Sequence, residues 1–248
     1  MKSLVHAARI LALVLCLGAG TARASVIIGG TRVVFPASQG QTTVRLSNKG
    51  DQPALVEAWI DTGNIHSTPD SSKAPFLITP PLFRMEADKD QSLRILFTGN
   101  PKSLPADRES LFWLNVLEIP PKPKDAAGKN LLQFAVRSRL KLFYRPAKLA
   151  GNPLKAPDAL TWTSSRGSHG AVLVVHNPTP YYITITRLSL KVDGKPVKAA
   201  SGMVAPFGVQ PLALSGVKHA LPAGTSIAFT TINDYGAGDV HKGTVVAQ

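Results

Sequence analysis

Apolar and polar residues alternate with period two along most of this chain, and the longest such run is Leu131 to Pro146, LLQFAVRSRLKLFYRP. Leu132, Phe134, Val136, Leu140, Leu142 and Tyr144 fall on one side, with Arg137, Arg139, Lys141 and Arg145 on the other. Side chains alternate across a pleated strand, so the spacing predicts a long β-strand. Leu131, Ala135 and Phe143 blur the polar side without breaking the alternation. A strand with one apolar and one cationic face suits a surface that meets something. Its basic side can hold an anion and its apolar side can pack against another strand. From periodicity alone, the favoured reading of Leu132, Phe134 and Val136 is the inner face of a central strand.

Similar but shorter runs precede it. Ser25 to Phe35 reads as a first strand interrupted by Gly29-Gly30, a pair that marks a kink or a change of partner sheet. Thr42 to Ser47, Ala54 to Asp61, Pro75 to Arg84 and Ser92 to Thr98 follow, with a turn cluster at Asn48-Lys49-Gly50-Asp51 and a potential cis peptide within Thr79-Pro80-Pro81. Leu111 to Ile119 is nearly continuous in apolar residues, as suits a central strand of a packed sheet. Seven strands with turn signals between them and no helical periodicity predict an immunoglobulin-like β-sandwich. Pro146 to Pro157 lacks periodicity and reads as a linker. Beyond it, Ala159–Ser164, Ala171–Asn177, Tyr181–Val192, Val209–Leu214, Thr225–Asn233 and Gly243–Ala247 predict a second, shorter sandwich with a hairpin turn at Asp193-Gly194. The expected organisation is all-β, with domains at 25–146 and 158–248 and a linker at 147–157.

The first 24 residues break the pattern. Lys2 and Arg9 give a positive start, Ile10 to Leu17 is an apolar run too short to span a bilayer well, and Ala22-Arg23-Ala24 is an A-x-A cleavage site. These features predict an export signal and a mature chain from Ser25. Its removal takes Cys16, the one cysteine, so disulfides contribute nothing to the mature protein. It also removes Lys2, Arg9 and Arg23 and no acid, leaving 25 basic against 15 acidic residues and a formal charge of +10. Such an excess is compatible with nucleic acid, anionic lipid or acidic partners, but charge alone favours a solvated surface.

Five ordered stretches then carry a resemblance. They are Thr31-Arg32-Val33-Val34-Phe35; Arg108 to Asn115 followed by Glu118-Ile119-Pro120-Pro121; Lys141 to Pro146; Asn177-Pro178-Thr179-Pro180-Tyr181-Tyr182; and Ile232-Asn233-Asp234-Tyr235-Gly236. In order and spacing they resemble the periplasmic pilus chaperones of the chaperone–usher pathway, over essentially the whole mature chain. The resemblance implies two immunoglobulin-like domains in a boomerang around a cleft, and a role in lending an edge strand to pilin subunits that lack one, before delivery to an outer-membrane usher. By motif position, Leu132, Phe134 and Val136 would be the inserted residues, with Asn130 at the next pocket. Arg32 and Lys141 would hold the subunit's C-terminal carboxylate. Glu109, Arg145 and Asp234 would brace the two domains. Lys141 has the opposite parity from Phe134, so either a bulge intervenes or the two face different parts of the partner. The short loop before the strand resembles the branch that serves rod-type pili. The same edge also allows self-association that caps it.

Other classes find less in the sequence. It has no Gly-x-Ser-x-Gly elbow, His-Glu-x-x-His pair or phosphate loop, and His66, His169, His176, His219 and His241 lack metal-ligand spacing. No catalytic residue, metal or cofactor is expected, and no membrane insertion. The alternative is an exported basic β-sandwich that binds polyanions through Lys122, Lys124 and Lys129. Aromatic residues for base stacking are not interleaved there, so a nucleic-acid partner is not expected.

Overall fold

The computed structural model describes residues 25–122, 132–168, 170–192 and 194–247. The predicted signal segment, Asn130, Lys124, Lys129, His169 and Asp193 lie outside the described residues. The first half contains β1 (Val26–Ile28), β2 (Arg32–Pro36), β3 (Gln41–Asn48), β4 (Ala54–Asp61), β5 (Phe76–Thr79), β6 (Leu82–Met85), β7 (Asp90–Phe97), β8 (Ser110–Ile119) and β9 (Val136–Arg145). One sheet runs β1-β3-β7-β5 and the facing sheet β2-β9-β8-β4-β6. Inward side chains from both, among them Val44, Leu46, Leu93, Ile95, Leu114 and Leu142, form a single core. Phe35, fully buried, lies at its centre with ring centroids 5.4 Å from Phe76 and 5.7 Å from Tyr144.

Nine strands replace the seven predicted, because two predicted strands each change sheets midway. At Gly29-Gly30 the chain leaves β3 and joins β9. Gly30 has φ +141, a conformation that favours glycine, and a Cβ on Gly29 would crowd the Arg45 carbonyl oxygen at 3.1 Å. At the cis Thr79–Pro80 peptide the chain passes from β5, paired with β7, to β6, paired with β4.

The second half contains β10 (Thr161–Gly167), β11 (Gly170–His176), β12 (Ile183–Val192), β13 (Lys195–Lys198), β14 (Gly202–Val204), β15 (Val209–Ala213), β16 (Ser226–Ile232) and β17 (Gly238–Thr244). Sheet β10-β11-β15 faces sheet β13-β12-β16-β17, with β14 also on β12, around a second core that includes Trp162 and Phe229. Periodicity missed β13 and β14 and placed the last strand at 243–247. All three are short or mostly polar, and β17 reads GDVHKGT with no buried side chain to mark its inner face.

β9 differs from its prediction too. It begins at Val136, not Leu131. It pairs antiparallel with β8 in unbroken register from Glu118↔Val136 to Ser110↔Tyr144. No bulge intervenes, so Leu140, Leu142 and Tyr144 point into the core while Arg137, Arg139 and Lys141 lie on the outer face. On its other side β9 pairs parallel with β2, but only from Lys141 to Arg145. Among the described residues, nothing pairs with that side between Val136 and Leu140.

Residues of β4, β8 and β9 cover the outer face around one buried carboxylate. Asp61 accepts hydrogen bonds from Arg139 Nη2 at 2.6 Å, Asn115 Nδ2 at 2.7 Å, Gly63 N at 2.6 Å and Ser67 Oγ at 3.1 Å, and Arg137 Nη2 stands 3.8 Å away. Arg137 also donates to Asn115 Oδ1 at 2.7 Å and to the Ile65 carbonyl at 2.8 Å. Each guanidinium lies over an indole, Arg137 on Trp59 at 4.7 Å and Arg139 on Trp113 at 4.2 Å. This network pins the half-free segment of β9 from its outer side.

Burial pushes the Asp61 carboxyl up, but the hydrogen bonds from Arg139, Asn115, Gly63 and Ser67 more than reverse this and leave it below the ordinary 3.8. A carboxylate with a depressed folded pKa contributes stability that is present above its unfolded value and lost as pH falls through the folded one. Asp61→Asn is therefore expected to cost about 2 kcal/mol at neutral pH. The urea midpoint of the variant should also fall less than wild type between about pH 5 and pH 2. Parallel urea titrations across that range check both.

Candidate functional site

The site has two parts, an unfinished sheet edge and a pair of cations at its end. Along the edge, Leu132 is 79% exposed, Phe134 69% and Val136 57%, although their spacing continues that of the buried Leu140, Leu142 and Tyr144. Residues 132–135 belong to no strand and have no sheet partner. The reading of these three side chains as the inside of a central strand is thus excluded by their exposure. An edge with free N–H and C=O groups beside a row of bare apolar side chains is a template for pairing with another chain.

The cationic face looks different in three dimensions from how it reads in sequence. Arg137 and Arg139 share the Asp61 carboxylate, which pairs closely with Arg139 and lies 3.8 Å from Arg137. Arg145 is held by two acids from different domains: its Nε donates to Glu109 Oε1 at 2.7 Å, and its Nη1 and Nη2 donate to Asp234 Oδ2 and Oδ1 at 2.7 and 2.9 Å. Burial pulls the Arg145 guanidinium pKa down, but the hydrogen bonds and charges of Asp234 and Glu109 more than reverse this, so it is raised overall. Glu109 is buried and also accepts from Tyr182 N at 2.8 Å, while its own N–H donates to the Pro180 carbonyl at 3.0 Å. The structure brings these three predicted residues together where the two sandwiches meet.

That leaves Lys141, which lies directly across the β2–β9 pairing from Arg32. Among the described residues, no carboxylate lies within 4 Å of either cation. Lys141 Nζ donates to Thr184 Oγ1 at 3.2 Å, and Arg32 Nη1 donates to the Ile232 carbonyl at 2.8 Å, both across to the second sandwich. Arg32 stacks on Phe143 at 5.6 Å, and its Nε is buried without a partner. Burial lowers the pKa of both groups; the Arg32 charge lowers Lys141 further, and Asp234 and Glu109 offset part of the effect on Arg32. Two half-desolvated cations thus stand at paired positions with no acid of the described residues against them. A planar carboxylate matches the guanidinium fork while the ammonium supplies a compact second charge.

Sequence reasoning named Arg32, Lys141, Glu109, Arg145 and Asp234 from motif position. It missed Asp61, Asn115, Trp59 and Trp113, whose signal is an acid and two indoles in strands that alternate normally. Only the register, Asp61↔Trp113↔Lys141 and Trp59↔Asn115↔Arg139, puts them beneath the arginines. Among the described residues no group of three metal-ligating side chains converges, and no helix is long and apolar enough to cross a membrane.

Comparison with known proteins agrees with this geometry. Residues 25–150 match the pili and flagellar-assembly chaperone, PapD N-terminal domain, and residues 155–243 match the pili assembly chaperone PapD, C-terminal domain. Chaperone protein FimB/FhaD of Bordetella pertussis is 48% identical over 220 residues, covering 88% of this chain and 87% of that protein. The probable fimbrial chaperone YadV of Escherichia coli is 43% identical over 215 residues, 86% of this chain and 87% of YadV. The crystal structure of YadV superposes with a TM-score of 0.76 at 40% identity, over 90% of this chain and 100% of that one. A chain in the structure of Salmonella enterica SafA pilin in complex with the SafB chaperone gives 0.71 at 33% identity, over 92% and 99%. With both domains matched in order along nearly the whole described chain, the protein belongs to the PapD family of pilus-assembly chaperones.

Proposed function

We propose that this chain is a periplasmic chaperone that captures pilus subunits by completing their sandwich with residues 130–140, and passes them to an outer-membrane usher. The observation that carries the reading is the half-paired β9. Its Val136–Leu140 edge is free, and Leu132, Phe134 and Val136 stand bare beside it. Main-chain hydrogen bonds along such an edge give affinity, and pockets that take alternate side chains give selectivity. Burying each of the three contributes roughly 1.5–3 kcal/mol before ordering costs. Asn130 belongs to the same proposal at the next pocket. The act is binding and shielding, with no bond made or broken. Family membership, the pilin complex of a relative and the predicted export signal support subunit binding in the periplasm.

Arg32 and Lys141 anchor the subunit's terminal carboxylate in this reading. The anchor and the free edge together set a polarity. With the carboxylate at the Lys141 end, the residues before it lie toward Val136, so the guest strand runs parallel to β9, in line with β2, itself a parallel neighbour. Glu109, Arg145 and Asp234 hold the two halves of the cleft in place for this. The polyanion alternative rests on Lys122, Lys124 and Lys129, whereas Arg137, Arg139 and Arg145 lie against acids of the chain itself.

Arg32→Ala and Lys141→Ala are expected to fold normally yet fail to hold subunits, and co-purification of a pilin at wild-type yield with either variant would contradict the anchor. A subunit-derived peptide should lose about tenfold or more in affinity when its C-terminus is amidated. Phe134→Asp puts a charge where an apolar pocket would receive a ring. It should weaken capture while leaving the thermal transition unchanged, because Phe134 is 69% exposed.

A further inference from the structure

On the outer face of β9 a cation recurs at every second residue from Arg137 to Lys141, and again at Arg145. This regularity creates a hazard for any ligand anchored through a carboxylate. Stepping the guest strand by two residues, about 6.7 Å, carries its carboxylate from Lys141 to Arg139, and a second step carries it to Arg137. A one-residue slip is self-correcting, because it turns every side chain to the wrong face. A two-residue slip is not, since the side chains return to the correct face. Pleating alone therefore leaves three nearly equivalent registers, and something else must choose among them.

The structure assigns that choice to Asp61: we propose that it is a specificity-determining residue, which occupies Arg137 and Arg139 so that, along this row, the carboxylate of a bound subunit meets a cation without an acid partner at Lys141, beside Arg32. Its oxygens lie 2.6 Å from Arg139 Nη2 and 3.8 Å from Arg137 Nη2. Asn115 Oδ1 and the Ile65 carbonyl take further donors of Arg137. The far end of the row is closed in the same way, with Arg145 taken by Glu109 and Asp234. Lys141 alone in the row faces a neutral partner, the Thr184 hydroxyl at 3.2 Å. A purely structural role for Asp61 needs no such distribution. The arginines would be held equally well if Lys141 were also paired.

This inference rests on the carboxylate-anchor reading, and the two fail differently. If Lys141→Ala or amidation of the peptide leaves binding unchanged in otherwise wild-type chaperone, the anchor reading is wrong. The test of Asp61 uses a subunit-derived peptide ending in a free carboxylate and the double variant Asp61→Asn/Lys141→Ala. Freed from Asp61, Arg139 should accept the carboxylate. Binding should recover by about tenfold over Lys141→Ala alone and again depend on the free carboxylate. A photocrosslinker in the peptide should then shift by two residues along β9. A folded double variant that binds no better than Lys141→Ala, or binds without the shift, overturns the proposal. Should Asp61→Asn fail to fold, Thr184→Asp gives an independent arm that leaves Asp61 intact. An acid beside Lys141 is expected to abolish carboxylate-dependent binding as thoroughly as Lys141→Ala, with an unchanged thermal midpoint, and wild-type binding by that variant overturns the rule.

Discussion

β9 is paired along its whole length on one side and along only half of it on the other. β8 covers Val136 to Tyr144 without a register shift, whereas β2 reaches only Lys141 to Arg145. Everything else about the candidate site depends on this asymmetry. An edge strand left open is ordinarily a liability, which proteins blunt with charge, proline or a bulge. Here the open segment is kept flat and in register by its inner side chains in the core and by two arginines stacked on Trp59 and Trp113 outside. The Val136–Leu140 segment is thereby held in register by β8 where its other side is unpartnered.

The two sandwiches keep separate cores and meet through polar groups and the packing of Phe143 on Tyr182. Arg145 links Glu109 of the first half to Asp234 of the second, and Glu109 also receives the Tyr182 amide. A buried guanidinium is costly unless its donors are all met, and this one meets two carboxylates with good geometry. Around it, Arg32 and Lys141 each reach across to the second half with a single hydrogen bond. Cations that are positioned but not neutralised retain the capacity to attract a further anion.

Much of this was legible in the chain. Alternation located most strands, and Gly29-Gly30 marked the change of sheet, with Gly30 at a positive φ that side chains rarely adopt and Gly29 close to the Arg45 carbonyl. The ordered motifs pointed to Arg32, Lys141, Glu109, Arg145 and Asp234, which indeed meet near the junction. What stayed hidden depends on pairing between distant segments. Whether Phe134 was core or surface turned on β9 beginning only at Val136, where its pairing with β8 ends, a fact about register that Phe134 itself does not carry. Arg137 and Arg139 read as free charge because Asp61, some 75 residues earlier, comes beneath them only through β8. The polar β17 offered no apolar rhythm to detect.

The short parallel strand β2 has a consequence of its own. From Arg32 onward it fills the lane beside β9 that a guest would need in order to run further. A visiting chain entering from Val136 therefore meets a buffer stop at the very point where the two cations wait. Only a polypeptide that truly ends there can lie flat. An internal stretch of sequence, or a terminus lengthened by a single residue, has to leave the sheet before it arrives. Under the proposed reading, β2 thus limits where a guest strand could finish, by steric exclusion as well as by charge.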